Sequence, residues 1–297
     1  MENVKIIVLI PVGPDCDESH VRDTVDSVQF YMKSSTRIIL LDDSVHGIDG
    51  SRFLYAKGVE ILRMPGCSGK KLGLYANLVE GFRYAFSRYN FEILLRLDTD
   101  ALVIDSGSEE EASRIFLENP QIGMLGSYRI DCIGEQRDFK WVKSKIIQES
   151  RFGLFPPHPR QIMWAFFLRK TVNKALRNNY ELGEFCQGSA VFMSSECVKR
   201  FSQYRLPSKK TLKCSEFCDD HFMGILVHSV GLENGDFATG SLPIGIRWEG
   251  LPCSPEMLIK RNKKIVHSVR YYQELDEKEI RAFYQKIRLR SQISHIK

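Results

Sequence analysis

The sequence predicts an α/β fold, a mostly parallel central sheet flanked by helices, with a C-terminal helical extension. Three observations carry this. Strand-like and helix-like patterns alternate four times in the first hundred residues, the signature of parallel strands joined by right-handed crossovers. Residues 4–10, Val4-Lys5-Ile6-Ile7-Val8-Leu9-Ile10, are a nearly unbroken apolar run, as in a strand covered on both faces. The run at 91–97 stops on Asp98-Thr99-Asp100, which places two carboxylates at the carboxyl edge of a sheet, where open α/β sheets bind ligands.

The elements follow in order. After the first strand, Pro11-Val12-Gly13-Pro14 reads as a loop, and a helix follows with Val21, Val25, Val28 and Met32 along one face. Residues 37–41 form the second strand, ending in Asp42-Asp43-Ser44, and 59–62 the third. The glycine-bearing stretch 65–69 leads into a helix over 70–88, whose face carries Leu74, Leu78, Phe82 and Phe86. Beyond Asp100, residues 109–117 read as helix and 122–125 as strand. The mixed, Arg-, Lys- and Pro-rich stretch 128–160 suits a mobile active-site loop. Helices are expected over 161–177 and 217–230, strands over 190–193 and 265–269, and an amphipathic tail over 277–290 with Ile280, Phe283, Tyr284 and Ile287 on one face. The organisation expected is one catalytic domain over 1–272, in halves 1–105 and 106–272, with a basic helix over 273–297.

The composition is that of an ordinary globule: 297 residues, 43% hydrophobic and 27% charged. The net charge of +5 is uneven, because residues 260–297 hold eleven Lys/Arg against four Asp/Glu. Such a tail is either solvated or suited to anionic lipid or phosphate, so a peripheral contact with an anionic membrane is one expectation. No nucleic acid is expected as a partner. The eight cysteines form neither C-x-x-C pairs nor a small disulfide framework, which fits reduced thiols in a cytoplasmic protein. Cys214 and Cys218, with His221 and His228 nearby, lack the second half of a zinc set. No G-x-G-x-x-G follows the first strand and no P-loop occurs, which disfavours dinucleotide binding and P-loop hydrolysis.

Two carboxylates one residue apart repel each other, and a divalent cation relieves that repulsion. Hard oxygen ligands suit Mg²⁺ or Mn²⁺, which in turn grips phosphates. A solvated Asp-x-Asp turn is the plain alternative. The surrounding pieces bear on the choice. They are the segment 7–13, Leu40-Leu41-Asp42-Asp43-Ser44, Lys71 six residues before Asn77, and Leu97-Asp98-Thr99-Asp100. Gly188-Ser189-Ala190-Val191-Phe192-Met193-Ser194, Cys218-Asp219-Asp220-His221-Phe222-Met223-Gly224 and Val266-His267-Ser268-Val269 follow. This ordered set resembles the nucleotide-sugar-dependent glycosyltransferases of the GT-A fold, near the large family 2 and with features of the β-1,3-galactosyltransferase-like group.

The resemblance implies an inverting, metal-dependent transfer from a UDP-sugar to a glycan or lipid-linked hydroxyl. It implies that Pro11, Val12 and Gly13 wall the base, that Asp43 accepts the uracil imide N–H, and that Lys71 and Asn77 belong to the nucleotide site. Asp98, Thr99 and Asp100 would face the diphosphate, with Asp98, Asp100 and His267 holding Mn²⁺ or Mg²⁺. Gly188 would let a sugar approach the backbone closely. The acceptor hydroxyl needs a base, and Asp220, the second acid of the pair before a helix, takes that role, although both acids also complement a helix dipole. Asp219 departs from the family's usual Glu at that place. Trp164 and Trp248 are either sugar platforms or core residues. Two alternatives remain: a haloacid-dehalogenase-like phosphatase using Asp98 and Asp100, and a non-catalytic carbohydrate-binding relative.

Overall fold

Strands that are apolar at every position need cover on both faces, and the chain supplies it. The computed structural model describes residues 1–53, 56–64, 72–151 and 158–294, with side chains through 291. Its first part runs β1 (Glu2–Val12), α1 (Glu18–Tyr31), β2 (Thr36–Asp42), a 3₁₀ turn at Gly50–Phe53, β3 (Val59–Arg63), α2 (Leu72–Arg88) and β4 (Tyr89–Leu97). Then come β5 (Ala101–Val103), α3 (Ser108–Glu118), β6 (Ile122–Gly126), α4 (Lys140–Glu149), α5 (Pro159–Leu176), β7 (Ala190–Ser194), α6 (Ser195–Gln203) and α7 (Lys209–Leu212). The chain closes with α8 (Asp219–Ser229), β8 (Glu233–Asp236), β9 (Ile244–Ile246), α9 (Pro255–Lys260), β10 (Ile265–His267), β11 (Tyr271–Tyr272), β12 (Leu275–Asp276) and α10 (Glu277–Ser294).

The large sheet has the order β3-β2-β1-β4-β7-β6-β8, and β7 alone runs against its neighbours. Side chains alternate between two cores. Ile7, Leu9, Leu41 and Leu94 pack toward α2, α5, α6 and α8, whereas Ile6, Val8, Leu40 and Leu95 pack toward α1 and α3. This two-sided burial is why the strands read as continuous runs. Strands from both halves, 1–105 and 106–272, join in this one sheet.

A second sheet, β5-β10-β9, stands at the end of β4. It is what returns the late chain to the carboxyl edge, with His267 opposite Ala101. Lys263 anchors it: its buried ammonium donates to the carbonyls of Ala238, Gly240 and Leu242 at 2.6, 2.8 and 2.8 Å, so all three donors are satisfied.

Several expectations need correction. Pro11 and Val12 continue β1 rather than forming a loop, and the strand accommodates Pro11. Val12 turns its carbonyl to Asp43 on the β2 side, so Pro11 faces the β4 side, where pairing has ended at Leu9 and Arg96. The stretch 128–160, expected as a loop, contains α4, whose Val142 and Ile146 enter the core. Part of that stretch, 152–157, lies outside the described residues, as does the glycine-bearing stretch 65–69. The expected tail contact with a membrane is also corrected. Ile280 and Tyr284 of α10 are buried against Leu102, Val266 and Leu258. Arg281 and Arg288 are buried too, both paired with Asp23 of α1. The face expected to meet lipid is covered by the chain's own body.

Glu184 ties the segment before β7 to its surroundings. It lies 3.3 Å from His228 Nε2 and 2.9 Å from Arg129 Nη2. Burial alone would raise its pKa, but hydrogen bonds from His228, Tyr128 and Arg129 outweigh that and hold it at about 2, below the usual 4.5. A depressed folded-state pKa contributes stability that is complete above the unfolded value and lost as pH falls through the folded one. The stability gap between the native chain and Glu184→Gln, measured by urea unfolding, is therefore widest above pH 4.5 and closes toward pH 2. A gap that does not narrow over that window would contradict this account.

Candidate active site

The carboxyl edge is assembled by backbone hydrogen bonds first. The reversed β7 places its N-terminal end beside the end of β4, where Asp98 N–H donates to the Ser189 carbonyl at 2.9 Å. Ala101 N–H closes the turn onto the Asp98 carbonyl at 3.0 Å. The Thr99 carbonyl is held from behind by Thr24 Oγ1 at 2.9 Å and by Arg281 Nη2 at 2.7 Å. The turn carrying Asp98 and Asp100 is thus fixed by α1 and α10 as well as by the sheet.

Pairing of β5 with β10 delivers His267 to this turn. One ligand atom from each of Asp98, Asp100 and His267 lies within 4.8 Å of the others. His267 Nε2 is 3.2 Å from Asp100 Oδ1, and its Nδ1 is 2.8 Å from the Arg247 carbonyl. A carbonyl only accepts, so Nδ1 carries a proton, and Nε2 meets Asp100 through either a second proton or a metal ion. Two carboxylates and an imidazole form a mixed O/N donor set, and the residues fit a divalent cation.

The two carboxylates differ in environment. Burial alone would raise the pKa of Asp100, but His267, Arg270 and Ser268 hold it well below the usual carboxylate range. Ser268 Oγ donates to Asp100 Oδ2 at 3.0 Å and Arg270 Nε at 2.8 Å. Asp98 is pushed up to about 6 by burial, with Arg96 opposing and Asp100 adding to the rise.

Arg96 is the central cation of the edge. It is 2% exposed, lies 3.2 Å from Asp98 and makes a short ion pair with Asp219, the first residue of α8. Asp219 is therefore the partner that compensates the charge of Arg96 inside the protein, a larger role than a helix-dipole acid has. Gly188 lies between the two groups: a Cβ there would come within 2.7 Å of both Arg96 Nη1 and Asp220 Cβ. The glycine is what allows α8 to bring Asp220 against the strand end. Asp220 accepts from His221 N–H at 2.8 Å and is more accessible than Asp219.

The remaining expected residues divide. Pro11 and Val12 end β1 at this edge and Gly13 follows, beside Asp43, which is buried just past β2, and nothing fills the space a Gly13 Cβ would take. The loop after β2 is held by the neighbouring Asp42, which accepts from Ser44 N and Ile48 N at 3.0 Å each and from Arg63 at 2.8 Å. Lys71 lies outside the described residues. Asn77 is buried in α2, where its Oδ1 accepts from Lys209 Nζ at 3.3 Å, and among the described residues no bond joins it to the edge. Trp164 is a core residue, with Nε1 donating to Glu149 at 2.6 Å, while Trp248 is 80% exposed.

The zinc set does not assemble. Cys218, Asp220 and His221 lie close together, but His221 Nδ1 is engaged by Cys218 N–H at 3.2 Å, and His228 is buried near Glu184. Sequence reasoning missed Arg96, Arg270, Ser268, Thr24 and Arg281. Arg96 did leave a signal, because a charge inside a run covered on both faces must find buried partners.

No protein-family model and no curated protein matches the sequence. In structure the chain is similar to the mannosyltransferase PcManGT from Pyrobaculum calidifontis in complex with GDP-Man and Mn²⁺. The identity is 13% and the TM-score 0.44, covering 78% of this chain and 54% of that one. It is also similar to the galactosyltransferase LgtC in complex with donor and acceptor sugar analogues, at 9% identity and TM-score 0.49, covering 95% of each chain. A third likeness is to the bifunctional glycosyltransferase WbbM in its apo form, at 10% identity and TM-score 0.49, covering 95% of this chain and 49% of that one. The chain spans about half the length of PcManGT and WbbM and nearly all of LgtC.

Removing the charge of Arg96 strands a buried Asp219. Arg96→Met is expected to cost about 3–5 kcal/mol of stability, the range for breaking a buried pair from one side. Arg96→Lys keeps the charge but loses the two-armed geometry and falls between. Urea midpoints of the three proteins check this, and a near-unchanged Arg96→Met would refute the pairing.

Proposed function

We propose that this chain is a metal-dependent, inverting glycosyltransferase that moves a sugar from a UDP-sugar to a hydroxyl of a glycan or lipid-linked acceptor. The observation that carries the reading is the convergence of Asp98, Asp100 and His267 at the carboxyl edge of a mostly parallel sheet. The same edge holds a second carboxylate system, Asp220, across Gly188. The first cluster suits a cation and the phosphates it grips, and the second suits a proton acceptor.

Mn²⁺ or Mg²⁺ held by Asp98, Asp100 and His267 would supply Lewis-acid stabilisation of the charge that grows on the departing nucleoside diphosphate. The chain's own residues do the rest. Asp43, past the end of β2, is the acceptor for the uracil imide N–H, and the end of β1 at Pro11, Val12 and Gly13 walls the base. Gly13 leaves the backbone open to close approach, whereas the space beside Gly188, expected to admit a sugar, is taken by Arg96 and Asp220. The Arg247 carbonyl keeps His267 Nε2 aimed at Asp100. Asp220 takes the acceptor hydroxyl proton as the oxygen attacks. One base and direct displacement give a product of opposite anomeric configuration to the donor. In the phosphatase alternative Asp98 attacks phosphorus itself. Its pairing with Arg96, together with the arrival of His267, favours a ligand-holding role.

With a panel of UDP-sugars and GDP-mannose, transfer is expected with a UDP-sugar and Mn²⁺ and is abolished by EDTA. Asp98→Asn or Asp100→Asn removes nearly all of it, and full activity in excess EDTA would overturn the metal assignment. Asp220→Asn lowers turnover by roughly 10²–10⁴-fold with little change in donor affinity, the usual span for loss of a general base. NMR of the product anomeric proton reads the stereochemistry, and retention of the donor's configuration would reject this mechanism.

A further inference from the structure

The surface formed by α4 and α5 has a composition that neither the core nor the edge site explains. One stripe of α5, including Trp164, Leu168, Thr171 and Val172, is buried. The opposite stripe, Met163, Phe166, Lys170, Lys174 and Arg177, follows three- and four-residue spacing and faces outward. Met163 is 54% exposed and Phe166 58%. On α4, Lys140, Lys143 and Ile147 form a similar exposed row.

The charge is as uneven as the burial. Residues 139–178 hold nine Lys/Arg against one carboxylate, Glu149, while the whole chain is only +5. Glu149 is turned inward, accepting from Trp164 Nε1 at 2.6 Å, Ser215 Oγ at 2.8 Å and Glu216 N at 2.8 Å. Lys145 is paired with Glu216, and the rest of what faces outward is cationic with apolar side chains set among the cations.

We propose that this face docks the protein onto an anionic lipid bilayer. Lysines and arginines would meet the headgroup phosphates while Met163, Phe166 and Ile147 enter the headgroup–acyl boundary. A soluble polyanion such as nucleic acid would engage the cations but make no use of the exposed Met163 and Ile147, so the bilayer fits the whole face. The face borders the active edge. Trp141 of α4, 51% exposed, packs against His221 with ring centres 5.4 Å apart, next to Asp220. On the glycosyl-transfer reading, an acceptor carried on a lipid would be presented on that side. The docking itself does not rest on that reading.

Co-sedimentation of the full chain with phosphatidylcholine vesicles, with and without phosphatidylglycerol, tests the proposal. Binding is expected only with the anionic lipid and weakens as salt is raised. Each basic residue near such a surface counts roughly fivefold, so Lys170→Glu with Lys174→Glu should lower partitioning by about 25-fold or more. Met163→Ser should lower it in a way that salt does not mimic. Lys278→Glu with Lys286→Glu, on exposed positions of α10, should leave it unchanged. The α5 variants keep the native melting temperature and native UDP affinity, so loss of docking is read separately from loss of the nucleotide site. No binding to anionic vesicles, or binding indifferent to the α5 charges, would overturn the proposal. Salt-sensitive binding to heparin without binding to vesicles would also overturn it and assign the face to a polyanion.

Discussion

A guanidinium buried at the end of β4 is the constraint on which the edge depends. Arg96 cannot remain in a covered strand without compensation, because an unpaired charge there costs several kcal/mol. Two carboxylates compensate it, and they come from different parts of the chain. Asp98 follows it by two residues, and Asp219 is brought by α8 from more than a hundred residues away. Satisfying one buried cation therefore fixes the register of a helix against a strand. It also positions Asp220, the next residue of that helix, beside Gly188.

The other side of the edge is held by a comparable device. The turn after β4 would be free to open were it attached only to the sheet. Thr24 and Arg281 hold the Thr99 carbonyl, and Arg281 is in turn fixed by Asp23. The C-terminal helix thus braces the turn that carries Asp98 and Asp100, and the small β5-β10-β9 sheet carries His267 to it. These supports hold the spacing of Asp98, Asp100 and His267 rigidly.

How much of this was legible follows from length and period. The strands β1 to β4 were readable because parallel strands buried on both faces give continuous apolar runs. The three-residue strands β5 and β9 are too short to show any period, and β8, Glu-Asn-Gly-Asp, is a polar edge strand with the wrong propensities. α6 follows β7 with no intervening loop, so no turn signal marks its start. The carboxylates Asp98 and Asp100 were legible because they end a strand. Arg96 was hidden inside the same run, and its meaning lies in Asp219, which no local pattern connects to it. The apolar face of α10 was visible from its spacing, but not its occupant, because the pairing of Arg281 and Arg288 with Asp23 is a tertiary fact. Asn77 and Trp164 show the converse: polar or aromatic residues at suggestive positions that the core absorbs.

The central claim is that Asp98, Asp100 and His267 hold a cation through which a nucleoside diphosphate is bound. Calorimetric titration of UDP into the protein, once with Mn²⁺ and once with EDTA, measures it directly. The account predicts binding with Mn²⁺, little or none in EDTA, and coincident weak curves for Asp100→Asn. UDP binding of equal strength in Mn²⁺ and EDTA would contradict it.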